Sequence, residues 1–416
     1  MNFDDTLKKL EKNFNAYIQR YILQQKLNKL LDPIFDNFIS YDIKYYIVGG
    51  IIRDYVLGRT PIDIDIAYEG DFDELVKYLK WHCKYHYVVN ASFKTIKIYY
   101  NNNEIDFVNC RSERYLGPGV LPQVKSDSIY EDMRRRDLTV NSIAYSMSEQ
   151  RFIDIFDGLR DIKSKLIKLN YADSLIDDPT RLFRAMKYKN RYKFKYDDIT
   201  RAIMDNCVKD KNLENISNDR LLNEFVKMLD ETDVAGIFME LDDFDVLKYF
   251  MPKCVVDTNF KVRLDQFIAI RQQTKNSLLL LYYLFDEFVP YFSNTFNHTK
   301  RMAIDLSHIA PLKNEIKHLS VHSTPSELYN VFSKYSDELL KIAYQLDKSK
   351  ISDLIDFYSK ILQHVQCPIN GTDLINHGIT DGLKIKEILK RALNDTLDDK
   401  NLMLTKDQII SKYTLV

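Results

Sequence analysis

The texture of the chain changes near residue 45 and again near residue 161, and the second change limits its architecture more than any other feature. From Tyr45 to about Asp161, short β-branched or aromatic runs (KYYIVGG, IDIDIAY, YHYVVNA, TIKIYY, EIDFVNC, FIDIF) alternate with segments of helical spacing such as GDFDELVKYLKWHCK. Such runs predict strands, and their interleaving with helices predicts an α/β unit around one sheet. Beyond Asp161 the strand signal nearly vanishes. DPTRLFRAMKYKNRY, SNDRLLNEFVKMLDE, NSLLLLYYLFDEFVPYF and ISDLIDFYSKILQHV place apolar residues three and four apart, so the second half is expected to be all-α. Before the sheet, Leu7, Leu10, Phe14, Ile18, Tyr21 and Ile22 mark residues 1–37 as an amphipathic helical segment.

A chain of 416 residues should divide into two to four packed units. Its net charge of −1 excludes a globally basic nucleic-acid binder, so any such surface must be a local patch. Five cysteines without a C-x-x-C pair point to neither a disulfide framework nor a zinc site, and free, mostly buried thiols are expected. No apolar run reaches the ~18 to 20 residues of a membrane span, and MNFDDTLKKLEKNF is too acidic for a signal peptide. The expectation is a cytoplasmic protein with no membrane partner and no obligate protein partner.

Within the strand run, Asp63 and Asp65 should share one face while Ile62, Ile64 and Ile66 share the other. Two carboxylates at ~6 Å in an effective dielectric near 20 repel by roughly 3 kcal/mol, which a hard dication of the magnesium type would relieve. By itself a D-x-D is more often a solvated strand face. Here VGG ends a strand and IIRDYVLG begins a helix, so Gly49 and Gly50 allow close approach of a phosphate to a helix N-terminus, with Arg53 one turn in. Together these features predict two metal ions clamping a nucleoside triphosphate.

In EDMRRRDLTVNSIAY, three arginines adjoin what reads as an apolar helix start (Leu138, Val140, Ile143, Ala144), so Arg136 is expected to point inward at the triphosphate. Asp137 and Asn141, four apart, would then lie on one helical face and meet a ribose hydroxyl. In DDPTRLFRAMKY, Asp178 reads as a helix N-cap before Pro179, and Asp178, Arg181, Arg184 and Lys187 recur every third residue as a polar stripe. A charged flank of an amphipathic helix explains that pattern equally well. The functional reading is that an acid and an arginine on a rigid helix meet the edge of a base, where a mismatch leaves polar groups unpaired at ~1 to 3 kcal/mol each.

VGGIIRD, DIDIA, RRRDLTVNSIAY, DGLRDI and DDPTRLFRAMKY, in that order, resemble the class II tRNA nucleotidyltransferases (CCA-adding enzymes) and the related bacterial poly(A) polymerases. The resemblance is close over residues 45–229. It implies an α+β fold: a polymerase-β-like nucleotidyltransferase head with a mixed sheet, followed by an all-α neck, body and tail. The expected divisions are an N-terminal helical segment (1–37), head (38–170), neck (171–235), body (236–330) and tail (331–416). The resemblance implies Mg2+ on Asp63 and Asp65, nucleotide contacts from Gly50, Arg53, Arg136, Arg184 and Lys187, and base reading by Asp178 and Arg181. Lys187 stands where the family commonly has arginine, which keeps the charge and loses the fork. Lys94, in ASFKTIKIYY, and Asp157, in DGLRDI, stand where the family often has glycine.

The implied reaction is template-free addition of CCA to a tRNA 3′ end from CTP and ATP, with residues beyond about 212 holding the acceptor and T arms. The turn-rich stretch CRSERYLGPGVLPQVKSDSIYED resembles the family's flexible loop and favours full CCA synthesis. CC-only or A-only addition and poly(A) polymerase activity remain alternatives, the last disfavoured because LNDTLDDKNLMLTKDQIISKYTLV carries no basic block. A catalytically silent RNA-binding protein on the same scaffold would not need the two aspartates. Asp106, in EIDFVNC, fits a third carboxylate and a solvated strand face equally well, and is not counted among the candidates.

Overall fold

Pleating sets the sheet. Ile64 and Ile66 are fully buried while Asp65 between them is half-buried on the opposite face, as a period of two requires. The computed structural model describes residues 3–61, 63–101, 103–347, 350–399 and 404–414. Ile62 lies outside the described residues. The chain divides into two compact units, 1–246 and 247–416.

The first unit runs α1 (Phe3–Gln24), α2 (Asn28–Ser40), β1 (Lys44–Val48), α3 (Gly50–Val56), β2 (Ile64–Glu69), α4 (Phe72–His82), β3 (Tyr87–Asn90), β4 (Thr95–Tyr100), β5 (Asn103–Asn109), β6 (Arg111–Arg114), β7 (Gln123–Ser126), α5 (Ile129–Arg134), β8 (Ala144–Ser146) and β9 (Arg151–Ile153). It continues through α6 (Gly158–Ser164), α7 (Ser174–Asp177), α8 (Arg181–Tyr192), α9 (Asp198–Lys209), α10 (Asn218–Leu229) and α11 (Val234–Asp243). Seven strands form one mixed sheet in the order β3-β4-β5-β2-β1-β8-β9. β2 and β5 are parallel, and every other neighbouring pair is antiparallel.

One face of this sheet is closed by the N-terminal helices. Phe38 of α2 stacks on Tyr68 of β2, and Phe14 of α1 packs against Tyr145 and Phe152 of the far strands. The other face is apolar at one end only, where Ile129 and Met133 of α5 cover Tyr46, Ala67 and Cys110. Toward Asp65 that face carries acids.

The expected α/β half and helical half are both present, and every described element after residue 246 is helical. That second unit has its own apolar cluster of Ile369, Leu374, Ile388, Ala392 and Ile409. Four expectations need correction. The N-terminal segment is two helices, broken where Lys26 takes a left-handed conformation at φ 57°. No helix starts at Leu138; it is extended, a single 3-10 turn spans Thr139–Asn141, and β8 follows. Tertiary pairing with β1 and β9 overrides the local helical spacing there. The turn-rich stretch folds its ends into a β6–β7 ribbon. All five cysteines are free as expected, but only Cys110 and Cys207 are buried.

Lys94 and Asp157 both sit at positive φ, 51° and 58°. These are left-handed positions that glycine adopts without a steric cost. Lys94 also ties the β3–β4 turn to the ribbon, its Nζ donating to Ser126 Oγ at 2.7 Å.

Candidate active site

The sheet register lays the acids in a row. Val48 of β1 pairs with Asp65, Asp65 with Asp106 of β5, and Asp106 with Lys97 of β4. Paired residues point to the same face, so Asp65 and Asp106 stand side by side on the half that no helix covers. Asp63 immediately precedes β2 and is exposed. All three acids line a cavity of about 630 Å³.

Gly49 makes this arrangement possible. Its backbone, at φ 75°, brings the chain so close that an added Cβ would lie 2.8 Å from Asp65 Oδ2 and 3.7 Å from Arg136 Nη1. Among the described residues the Asp65 carboxylate accepts no hydrogen bond and forms no ion pair. Burial and the neighbouring Asp106 push its carboxyl up to about 6, against the pull of Arg136. Burial, with Glu104 adding to it, also raises Asp63, and burial raises Asp106 although Lys97 faces it at 3.6 Å. A pair of oxygen donors short of positive charge fits a hard dication. Among the described residues no three His, Cys, Asp or Glu side chains are already gathered as ligands. Asp63 and Asp65 would hold the ion, which when bound supplies Lewis-acid activation of a hydroxyl and charge neutralisation on phosphate.

Arginines line the same cavity. Of the three in series, Arg134 turns to solvent and pairs with Glu131, whereas Arg135 and Arg136 turn inward onto Asp132. Burial works to raise Asp132, but those two guanidinium groups outweigh it and hold the carboxyl below its usual range. Arg136 is thereby aimed at the cavity, its Nη1 donating to the Asn141 carbonyl at 3.2 Å. Gly50 opens α3, and Arg53 on that helix is buried, its guanidinium 4.8 Å from the ring centres of both Tyr188 and Tyr192. Its Nη1 donates to Asn141 Oδ1.

Asp137 and Asn141 come together without the expected helix: Asn141 Nδ2 donates to Asp137 Oδ1 at 3.2 Å. Asp137 is nevertheless committed to Arg184, whose Nε donates to its Oδ2. Burial alone would raise Asp137, and the Arg184 guanidinium brings it down to about 2. A carboxyl held below its unfolded value of ~3.9 stabilises the fold above that pH, and the contribution drains away as pH falls from about 4 to about 2. The gap corresponds to about 2 kcal/mol, trimmed by solvent because Arg184 is 37% exposed. Asp137→Asn should therefore lower the urea midpoint at pH 7 and make little difference near pH 2; an equal difference at both would remove this ion pair as the cause.

Asp178 caps the end of α7 rather than the start of α8, whose first residue is Arg181; its carboxylate receives the Thr180 N–H at 3.1 Å and Arg220 Nη2 at 2.7 Å. Arg181 is buried and donates to Tyr171, Ser174, Tyr115 and the Arg135 carbonyl. Asp178, Arg181 and Arg184 face the same cavity as the acids, while Lys187 lines a neighbouring cavity of about 500 Å³ with Arg59, Arg191 and Glu231. The proposed stripe fails at Lys187 for a geometric reason. A three-residue step falls about 60° short of a full helical turn, so Lys187 stands about 120° around α8 from Arg181.

Sequence reasoning missed Arg220, which comes from α10 and reaches both Asp178 and the Gly119 carbonyl, and Tyr115, from the loop of the ribbon. It also missed Tyr188, whose ring lies under Arg53, Arg184 and Arg191. Asp106 had a usable signal: it alternates with Ile105 and Phe107 as Asp65 does with Ile64 and Ile66.

Residues 45–168 match the poly A polymerase head domain, and residues 193–255 match the probable RNA and SrmB-binding site of polymerase A. An A-adding tRNA nucleotidyltransferase of Geobacter sulfurreducens is 28% identical over 388 residues; the alignment takes in 86% of this chain and 43% of that protein, so the chain spans less than half its length. An A-adding tRNA nucleotidyltransferase of Halalkalibacterium halodurans is 24% identical over 89% of this chain and 90% of its own. Among solved structures, a CCA-adding enzyme in an apo form superposes with a TM-score of 0.72 over 95% of this chain and 97% of its own, at 24% identity, which establishes the shared fold. The sequence matches and the shared architecture agree: the chain carries a poly A polymerase head domain followed by an RNA-binding segment, on the fold of the CCA-adding enzymes, and its relatives are named as tRNA nucleotidyltransferases.

Proposed function

We propose that this chain transfers a nucleotide from a nucleoside triphosphate to the 3′-hydroxyl of tRNA, without a nucleic-acid template and with release of pyrophosphate. The observation that carries the reading is one cavity lined both by Asp63, Asp65 and Asp106 and by Arg53, Arg136, Arg181 and Arg184. That polarity suits a polyphosphate anchored by arginines while its α-phosphate meets the acids. In this reading Asp63 and Asp65 hold Mg2+ in a two-metal site. Gly50, Arg53 and Arg136 orient the triphosphate, with Lys187 acting from the adjoining cavity. Asp137 and Asn141 set the ribose side, Arg184 fixes Asp137, and Asp178 with Arg181 reads the base. The neck, body and tail divisions at 171–235, 236–330 and 331–416 are proposed with it, the helical second unit taking the acceptor and T arms.

Addition of the terminal AMP is the step with most support, because two relatives that match along most of this chain are A-adding enzymes. Full CCA synthesis from CTP and ATP is the second reading, favoured by the ribbon segment, whose Tyr115 reaches Arg181 and whose Gly119 carbonyl accepts from Arg220. Two transcripts separate them: a tRNA ending in CC and one lacking all three terminal nucleotides, each incubated with ATP, CTP or both. Growth of the first alone supports A addition; growth of the second by two nucleotides with CTP and by a third only when ATP is also present supports CCA synthesis. No incorporation on either sinks the tRNA reading.

Nucleotide choice is expected to depend on the α7–α8 junction. Asp178→Ala and Arg181→Lys should each reduce discrimination between ATP and CTP by roughly tenfold, the order of one lost polar pairing. Steady-state kcat/KM for both nucleotides checks this, and an unchanged ratio in both variants would assign base reading elsewhere.

A further inference from the structure

The strongest unassigned feature is a long exposed, acid-free stretch at the open edge of the sheet. Between Leu75 and Asn103 the sequence holds five lysines and two histidines and no aspartate or glutamate, in a chain whose net charge is −1. Lys77 and Lys97 are paired with Glu74 and Glu104, but Lys80 and Lys84 form no ion pair among the described residues. Between them lies Trp81, the one tryptophan of the chain, 81% exposed. The run continues through exposed Tyr85, His86, Val88 and Val89 along β3. His86 stacks on Tyr99 of β4 with ring centres 5.3 Å apart.

This edge is joined to the candidate site by the sheet itself. Val88 pairs with Lys97, Lys97 with Asp106 and Asp106 with Asp65, so β3 and the carboxylates belong to one row of one face. Three inter-strand spacings put them roughly 14 Å apart.

We propose that the sheet edge from Lys80 to Asn90, together with Tyr99, is a contact surface for single-stranded RNA. Exposed planar rings interleaved with unpaired lysines are what a base stack and its phosphates require, and stacking tolerates any base. A lipid surface fits less well. The apolar residues of α4 (Phe72, Leu75, Leu79) are buried in the core, which leaves Trp81 as the large apolar side chain that helix shows to solvent. The inference rests on the reading of the chain as an enzyme of RNA ends, and it adds a second place where the RNA is held.

Trp81 is also the probe. Its fluorescence is titrated in the full chain with a single-stranded oligocytidine RNA, with a tRNA transcript, with heparin and with anionic phospholipid vesicles. Both RNAs are expected to quench it. Lys80→Ala with Lys84→Ala should weaken oligocytidine binding about tenfold and flatten its salt dependence by roughly 1.4 log units per log unit, the share of two phosphate contacts on a single strand. Trp81→Phe should bind nearly as the parent while Trp81→Ala loses about fivefold, read by filter retention. Unquenched fluorescence at RNA concentrations that saturate filter retention overturns the inference. So does quenching by vesicles without quenching by RNA, or heparin quenching as strong as RNA together with an unimpaired Trp81→Ala variant. Nucleotide incorporation is followed in parallel: incorporation with a silent Trp81 refutes this surface alone, and a responsive Trp81 without incorporation refutes the proposed reaction alone.

Discussion

Asp65→Asn should lower nucleotide incorporation by more than about a thousandfold while leaving a folded protein that is more stable without metal than the parent. Both halves follow from the same geometry. The carboxylate faces Asp106 across the parallel β2–β5 pair and is pushed up to about 6. Loss of a ligand to a catalytic ion removes charge stabilisation from the attacking and leaving oxygens together, and effects of that size are usual for such groups. The stability half has a definite sign. A carboxyl whose folded pKa exceeds its unfolded value destabilises the metal-free fold once pH rises above about 6, and that cost fades as pH drops toward 4. The gap of about 2 units sets an upper bound near 3 kcal/mol, and partial exposure of Asp65 lowers it. In chelator, the parent should melt higher at pH 5 than at pH 8, and Asp65→Asn should lose most of that difference. An Asp65→Asn enzyme with parental turnover would refute the metal role, and a pH-independent parent would refute the electrostatic one.

The legible parts of this protein are those where a local pattern and the tertiary environment agree. Ile64 and Ile66 announced a buried face, and the sheet uses it. GDFDELVKYLKWHCK announced a helix, and Asp71 caps it by accepting from Asp73 N and Glu74 N. Reading failed where two levels compete. Leu138, Val140, Ile143 and Ala144 have helical spacing, yet pairing of Ala144 with both Val48 and Ile153 recruits the segment as a strand.

Within the candidate site, sequence identified ligating types at short range and was blind to partners brought in from afar. Asp178 and Arg181 stood out in one motif, but their commitments to Arg220 and Tyr115 lie 42 and 66 residues away. Nothing periodic in a helix reveals which of its polar residues will meet a distant loop. The consequence is physical: the two groups proposed to read a base are each held in place by other hydrogen bonds, Asp178 through Oδ1 and Arg181 through Nη1 and Nη2. A base that fails to match groups so fixed leaves them unpaired, and that is where selectivity between bases would arise.

Gly49→Ala is expected to be nearly as damaging as loss of Asp65, through backbone rather than charge. Gly49 has φ 75° and ψ −135°, a region that L side chains rarely enter and that costs of order 1–3 kcal/mol. Steric exclusion adds to that strain. A Cβ would stand 2.8 Å from Asp65 Oδ2, so either the β1–α3 turn or the carboxylate has to move. Moving the turn shifts Gly50 and Arg53 away from the proposed triphosphate site, and moving Asp65 shifts a proposed metal ligand, so each escape displaces a part of the site. A displacement of about 1 Å is enough to cost on the order of a hundredfold in rate. Gly49→Ala should therefore lower kcat by about a hundredfold or more and lower the melting temperature by several degrees, whereas Gly58→Ala, also at positive φ but with nothing within 4 Å of its added Cβ, should lower stability alone. Were both variants to lose stability equally and keep their turnover, the close approach of the Gly49 backbone to Asp65 would have no part in the chemistry.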